Sequence, residues 1–99
     1  KATLRYSRII ALESEKRDID PRFVVAQTYL ESRFKRYQKS RTNDYGLMQL
    51  HVSATVHSRY IGKERLLFNP QRNIRLGVKL LNYWRWYHFS RCKKKDHEW

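Results

Sequence analysis

The sequence predicts an all-α fold. Apolar residues recur at three- or four-residue steps over several segments, both prolines follow an Asx residue in the form that starts a helix, and no stretch alternates as a strand does. A first amphipathic helix is expected from Leu4 to about Lys16, with Leu4, Ile9, Ile10 and Leu12 set among charges and the polar run Glu15 to Asp18 ending it. Asp20-Pro21 then pairs an N-cap side chain with a proline at the first helical position, where its missing N–H is harmless. From Pro21 to about Arg33, the spacing of Phe23, Ala26, Leu30 and Phe34 predicts one apolar face. The segment Tyr37 to Tyr45 lacks periodicity and reads as a loop entering Gly46. A third, shorter helix is expected from about Ser53 to Tyr60, stopping at Gly62. Asn69-Pro70 starts a fourth, which runs through Ile74, Val78, Leu81, Tyr83 and Trp84 to about Phe89.

Composition limits what such a helical chain can do. Its 99 residues make a single domain, 1–99, and 22 Lys and Arg against 9 Asp and Glu give a formal charge of +13. With 40% hydrophobic and 14% aromatic residues it is too apolar for a disordered polycation. A lone Cys92 makes neither an intrachain disulfide nor a Cys cage, and His51 and His57 do not share a helix face at metal-ligand spacing. No metal and no cofactor is therefore expected. Apolar stretches such as Phe23 to Ala26 fall far short of the roughly 18 residues of a membrane span. The chain opens at Lys1 with no apolar signal region, as a mature chain or an excised piece would, and a monomer is expected. The charge, with Arg91-Cys92-Lys93-Lys94-Lys95, suits phosphate contacts by a nucleic-acid-binding module and equally suits an anionic cell wall or membrane surface.

Glu31 is the carboxyl of interest. Its spacing from Val24 and from Gln27 or Thr28 sets it beside the expected buried face, at the border of the core. Partial desolvation there disfavours the ionised form and suits a general acid. A solvated glutamate pairing with Lys35 four residues on fits the helix pattern as well.

The surrounding motifs bear on that choice. Ile19 to Ala26, Glu31-Ser32-Arg33-Phe34, Ser40, Tyr45-Gly46-Leu47-Met48-Gln49-Leu50, and Asn69-Pro70 followed by Asn73-Ile74 and Gly77 occur in one order. Together they resemble the lytic transglycosylase domain of the soluble lytic type, most strongly over 19–81. The resemblance implies a lysozyme-like helical domain cleaving the β-1,4 bond between N-acetylmuramic acid and N-acetylglucosamine of peptidoglycan glycan strands in the bacterial envelope or periplasm, or within a phage or secretion machine. It implies that Glu31 protonates the leaving oxygen and then, as a base, takes the proton of the muramoyl C6 hydroxyl, which closes a 1,6-anhydro ring. Such an intramolecular attack needs no second carboxylate to activate water.

By the same resemblance Ser40 faces the reacting sugar, the Gln49 amide contacts sugar groups, and Met48 lines the cleft, although a methionine between Leu47 and Leu50 fits the core equally. Gly46 allows a tight turn, while Asn73 and Gly77 serve packing and hydrogen bonding. Asp44 is the candidate second carboxylate for a hydrolytic, lysozyme-type reaction, and otherwise a turn residue. The family's later Ala-Tyr-Asn segment is missing before Trp99, which implies a shortened domain, a cleft completed by other residues, or a domain that binds peptidoglycan without cleaving it. Trp84, Trp86 and Tyr87 suit packing at the core edge or stacking on sugar faces.

Overall fold

The computed structural model describes residues 2–97, with side-chain surroundings for 3–87. Its elements are α1 (Ala2–Lys16), α2 (Pro21–Ser32), a two-stranded antiparallel ladder of β1 (Asp44–Tyr45) and β2 (Leu50–His51), two 3₁₀ turns (Ser58–Tyr60 and Glu64–Phe68), and α3 (Pro70–His97). Helix thus dominates, as expected. Among the described residues no helix is long and apolar enough to cross a membrane.

The two Asx–Pro signals act as read. Asp20 accepts the backbone N–H of Arg22 at 2.9 Å, and Asn69 accepts that of Arg72 at 3.0 Å, so each caps the helix its proline opens. The end of α1 is closed by Asp18 in the left-handed region (φ 53°), with the Ile19 N–H returning to the Ser14 carbonyl at 3.0 Å.

The core gathers Tyr6 and Ile10 of α1, Val24 of α2, Leu47, Met48 and Leu50 around the hairpin, and Leu67, Ile74 and Val78. Here α2 departs from the expectation. Phe23, Ala26 and Leu30 point outward, Phe23 at 53% and Leu30 at 75% exposure, and the buried face is Val24, Thr28 and Ser32. The physical reason is that both hydroxyls satisfy themselves on their own helix. Thr28 Oγ1 donates to the Val24 carbonyl at 2.8 Å and Ser32 Oγ to that of Thr28 at 3.2 Å, so neither carries an unmet polar group into the core. On α1, similarly, Leu4 and Leu12 are exposed, whereas Glu13 is buried beside Arg17 (2.9 Å) and Lys16 (3.4 Å).

The expected helix over Ser53 to Tyr60 shrinks to the single 3₁₀ turn at its end. Ser53 Oγ accepts the N–H groups of Thr55 and Val56, and His57 is left-handed (φ 50°), so the local side chain captures the donors a helix would have used. The hairpin was not expected, because strands of two residues are too short to display alternation.

Candidate active site

Glu31 is the penultimate residue of α2. The helix stops there because Arg33 (φ 53°) and Phe34 (φ 62°) both turn left-handed, with the Arg33 N–H closing on the Tyr29 carbonyl at 2.8 Å. Two consecutive non-glycine residues in that region form a costly turn, held by packing of Phe34 against the core. Two expectations change with this geometry. Lys35 lies beyond the helix, so the i,i+4 pair with Glu31 does not exist, and Glu31 is exposed rather than at the core border. It makes no hydrogen bond or ion pair with any described residue.

From the end of α2 the chain runs back to the hairpin along a ladder of rings. Arg36 Nε donates to the Phe68 carbonyl at 3.3 Å, and the Phe68 ring meets Tyr37 at 5.6 Å and Tyr45 at 5.9 Å between centroids. Phe68 thereby joins the segment after Glu31 to β1.

The hairpin is the more heavily hydrogen-bonded part. Gly46 begins its turn at φ 81°, and its N–H donates to the Gln38 carbonyl at 2.8 Å. An added Cβ there would collide with the Asn73 amide and lie 2.6 Å from the Leu67 carbonyl oxygen, so position 46 requires glycine on both counts. Asn73, buried on α3, ties this turn down with every group it has near it. Its Oδ1 accepts the Met48 N–H at 2.8 Å, and its Nδ2 donates to the carbonyls of Tyr45 and Leu67, both at 2.8 Å.

Met48, for which cleft wall and core fit the sequence equally, is buried in the core against Gly77, whose missing side chain makes room for it: a Cβ at 77 would lie 2.9 Å from Met48 Cβ and Cε. Gln49 is left-handed (φ 50°) and only part-buried. Its Nε2 donates to the carbonyls of Gln38 (3.0 Å) and Gly46 (2.9 Å). Both neighbours being acceptors fixes the amide orientation and leaves Oε1 for a donor from outside.

Ser40, Thr42, Asp44 and His51 form one network. Ser40 Oγ donates to Asp44 Oδ2 at 2.6 Å and accepts the N–H groups of Thr42 (3.1 Å) and Asp44 (3.0 Å). Thr42 Oγ1 adds a second hydrogen bond to Oδ2 at 2.5 Å, and His51 Nδ1 lies 2.9 Å from Oδ1. Burial pushes the Asp44 carboxyl up, but the hydrogen bonds from Ser40, Thr42 and His51, with the charge of His51, outweigh it and hold the group below the ordinary aspartate range. Ser40 and Asp44 are thus brought together, while neither hydrogen-bonds Glu31.

Thr42 and His51 escaped the sequence reading. The signal for His51 was its register: Asp44 and His51 stand opposite each other across the four-residue turn Gly46 to Gln49. Among the described residues no group of three or more His, Cys, Asp or Glu side chains is placed to hold a metal ion.

Comparison with known proteins bears on what this arrangement does. The family model described as Transglycosylase SLT domain matches residues 8–90. The chain is 31% identical over 91 residues to "Membrane-bound lytic murein transglycosylase E" of Buchnera aphidicola subsp. Acyrthosiphon pisum (strain APS), an alignment covering 84% of this chain and 41% of that protein. The chain therefore spans about two fifths of the length of that relative.

Proposed function

The chain belongs to the transglycosylase SLT family, and from that premise we propose that it is a lytic transglycosylase that cleaves the β-1,4 bond between N-acetylmuramic acid and N-acetylglucosamine in peptidoglycan, with Glu31 as acid and then base. The observation that carries this reading is the setting of Glu31: a carboxyl with no described partner, on a helix end that a left-handed turn fixes in place. Exposed in the free protein, it is available to a glycan strand, and the bound strand itself excludes water from it. Glu31 protonates the glycosidic oxygen as the bond to C1 breaks. The resulting carboxylate then takes the proton of the C6 hydroxyl, whose oxygen bonds to C1 and closes the 1,6-anhydro ring. Every proton is accounted for by one side chain, and holding the C6 hydroxyl within the same sugar supplies the proximity.

In this reading the hairpin supports the sugar. Gln49 offers Oε1 to an N–H or O–H of the strand, since its amide N–H groups are committed to backbone carbonyls. Ser40, whose hydroxyl is occupied by Asp44 and two backbone N–H groups, acts by fixing the loop, and Met48 backs the turn from the core. The protein works as a monomer in the bacterial envelope or periplasm, where its substrate lies, whether as a cell's own enzyme or as part of a phage or secretion machine.

Asp44 favours one second reading. A part-buried aspartate held ionised by Ser40, Thr42 and His51 suits a lysozyme-type hydrolase that uses two carboxylates. The nucleic-acid alternative is not favoured, because charge alone supports it. Mass spectrometry of muropeptides released from purified peptidoglycan separates the outcomes. Anhydro products, one water lighter than hydrolytic ones and lost with Glu31→Gln, support the transglycosylase. Reducing-end products lost also with Asp44→Asn support the hydrolase, and no release by the folded chain refutes both.

A further inference from the structure

Beyond the hairpin, α3 carries a feature the proposed reaction does not use. From Pro70 to Lys95 the sequence holds eight Lys and Arg and no Asp or Glu. The residues Tyr83, Trp84 and Trp86 on this helix are 55%, 45% and 66% exposed. Two open grooves flank them, one lined by Lys79, Asn82, Tyr83, Arg85 and Trp86, the other by Ile19, Phe23, Leu81, Trp84 and Arg85. Large exposed rings beside cations are an unusual surface for a small domain.

Its chemistry narrows the occupant. Sugars and bases are recognised through planar hydrogen-bonding groups and open ring faces. Here Asn82 Oδ1 already accepts from Arg85 Nη2 at 2.8 Å, and three of the rings partly cover one another, with Trp86 standing outside them: Tyr83 stacks on Tyr87 at 6.3 Å with planes 18° apart, and Trp84 meets Tyr83 and Tyr87 edge-on at 5.5 and 5.7 Å. What remains outward is apolar rim and cationic head. The other hydrogen-bond partners of Arg85 among the described residues are backbone carbonyls, those of Asp18 and Arg17 at 2.6 and 3.2 Å. Those bonds also fix the aromatic stretch against the turn between α1 and α2.

The shape agrees. The 28 residues of α3 make a rod of about 42 Å. The molecule's longest extent is 47 Å, and its radius of gyration of 14.6 Å exceeds the roughly 13 Å of a compact chain of this length.

We propose that the aromatic stretch of α3, with the cations along the same helix, docks the protein on the surface of an anionic lipid bilayer. Tyr83, Trp84 and Trp86 enter the headgroup boundary, where rings with polar handles are favoured, while Lys79 and Arg85 beside them meet lipid phosphates. Charge complementarity supplies the attraction and the rings supply the depth. This inference does not depend on the catalytic role of Glu31.

The test is co-sedimentation of the whole chain with vesicles of phosphatidylcholine alone or mixed with about one third phosphatidylglycerol, alongside tryptophan emission. Binding is expected to the anionic vesicles only, with a blue shift and loss in about 0.5 M NaCl. The Tyr83→Ala/Trp86→Ala variant is expected to bind about tenfold more weakly with an unchanged thermal melt. If that pair disturbs folding, Trp86→Ala alone decides, since Trp86 is the most exposed residue of the three. Undiminished vesicle binding by the folded ring variant would reduce the surface to bare charge and overturn the proposal. So would absence of vesicle binding, or a preference for a single-stranded oligonucleotide that vesicles fail to displace. Muropeptide release, measured separately, stands or falls on its own.

Discussion

At the end of α2, Glu31 stands exposed with no partner among the described residues, whereas in the turn between β1 and β2 the backbone of Tyr45 and Met48 is hydrogen-bonded to a buried Asn73. In the proposed reaction the two regions play different parts, one carrying the acid and the other supporting the sugar. One keeps its reacting group bare and controls only the direction of the helix that carries it. The other has almost no freedom: a glycine that must be glycine, an amide with both donors used, and a carboxylate with three hydrogen-bonding partners. Rigidity in such a site need not surround the acid. It can be concentrated in the surface against which the substrate is held, provided the acid's mount is fixed.

The widest test of that division is Glu31→Gln. It is expected to lower muropeptide release by about 10²- to 10⁴-fold while leaving the denaturant midpoint essentially unchanged, because the carboxyl has no described partner to lose. A large fall in stability would mean that Glu31 belongs to the rigid half. Asn73→Ala probes the other side. Leaving the Met48 N–H and the Tyr45 and Leu67 carbonyls unpaired is expected to cost roughly 3–5 kcal/mol by urea unfolding, since each stranded buried group costs about 1–3.

Within α2 the same contrast separates two aliphatic residues. Val24→Ala is expected to destabilise by about 2 kcal/mol and Leu30→Ala by about 0.5 or less, read from chemical denaturation of both variants. Equal effects would restore the apolar face that the sequence spacing suggests. The smallest expected effect is a pH slope. The Asp44 carboxyl is held below its unfolded value, so its contribution to stability is complete above the ordinary aspartate range and is lost as pH falls through the lower folded value. Stability measured below about pH 4 should therefore fall less steeply in Asp44→Asn than in the parent chain.

Much of this molecule is readable residue by residue before any coordinates. Asp20-Pro21 and Asn69-Pro70 mark their helices because a cap and a fixed φ are local properties. Gly46 and Asn73 stand out by motif, although the hydrogen bonds by which Asn73 holds Tyr45 and Met48 on either side of Gly46 are tertiary. The face of α2 was misread because counting apolar residues treats Thr28 and Ser32 as outward-facing, when their hydroxyls bond to their own helix and let the core close over them. Glu13 carries no local sign of burial in the sequence, yet Arg17 and Lys16 lie one helical turn on and let it be buried. His51 needed the hairpin register, which strands of two residues do not announce.

The reach of Arg85 carries one more consequence, for the order in which the chain acquires its structure. Its guanidinium bonds residues 67 and 68 positions earlier, α1 packs chiefly on α3, and the Gly46 turn waits on Asn73. During synthesis α1, α2 and the hairpin leave the ribosome before the helix that completes them, so these elements have no finished core until α3 arrives. Folding is then set by the closing of that long loop, and the three helices are expected to gain and lose protection from hydrogen exchange as one cooperative unit.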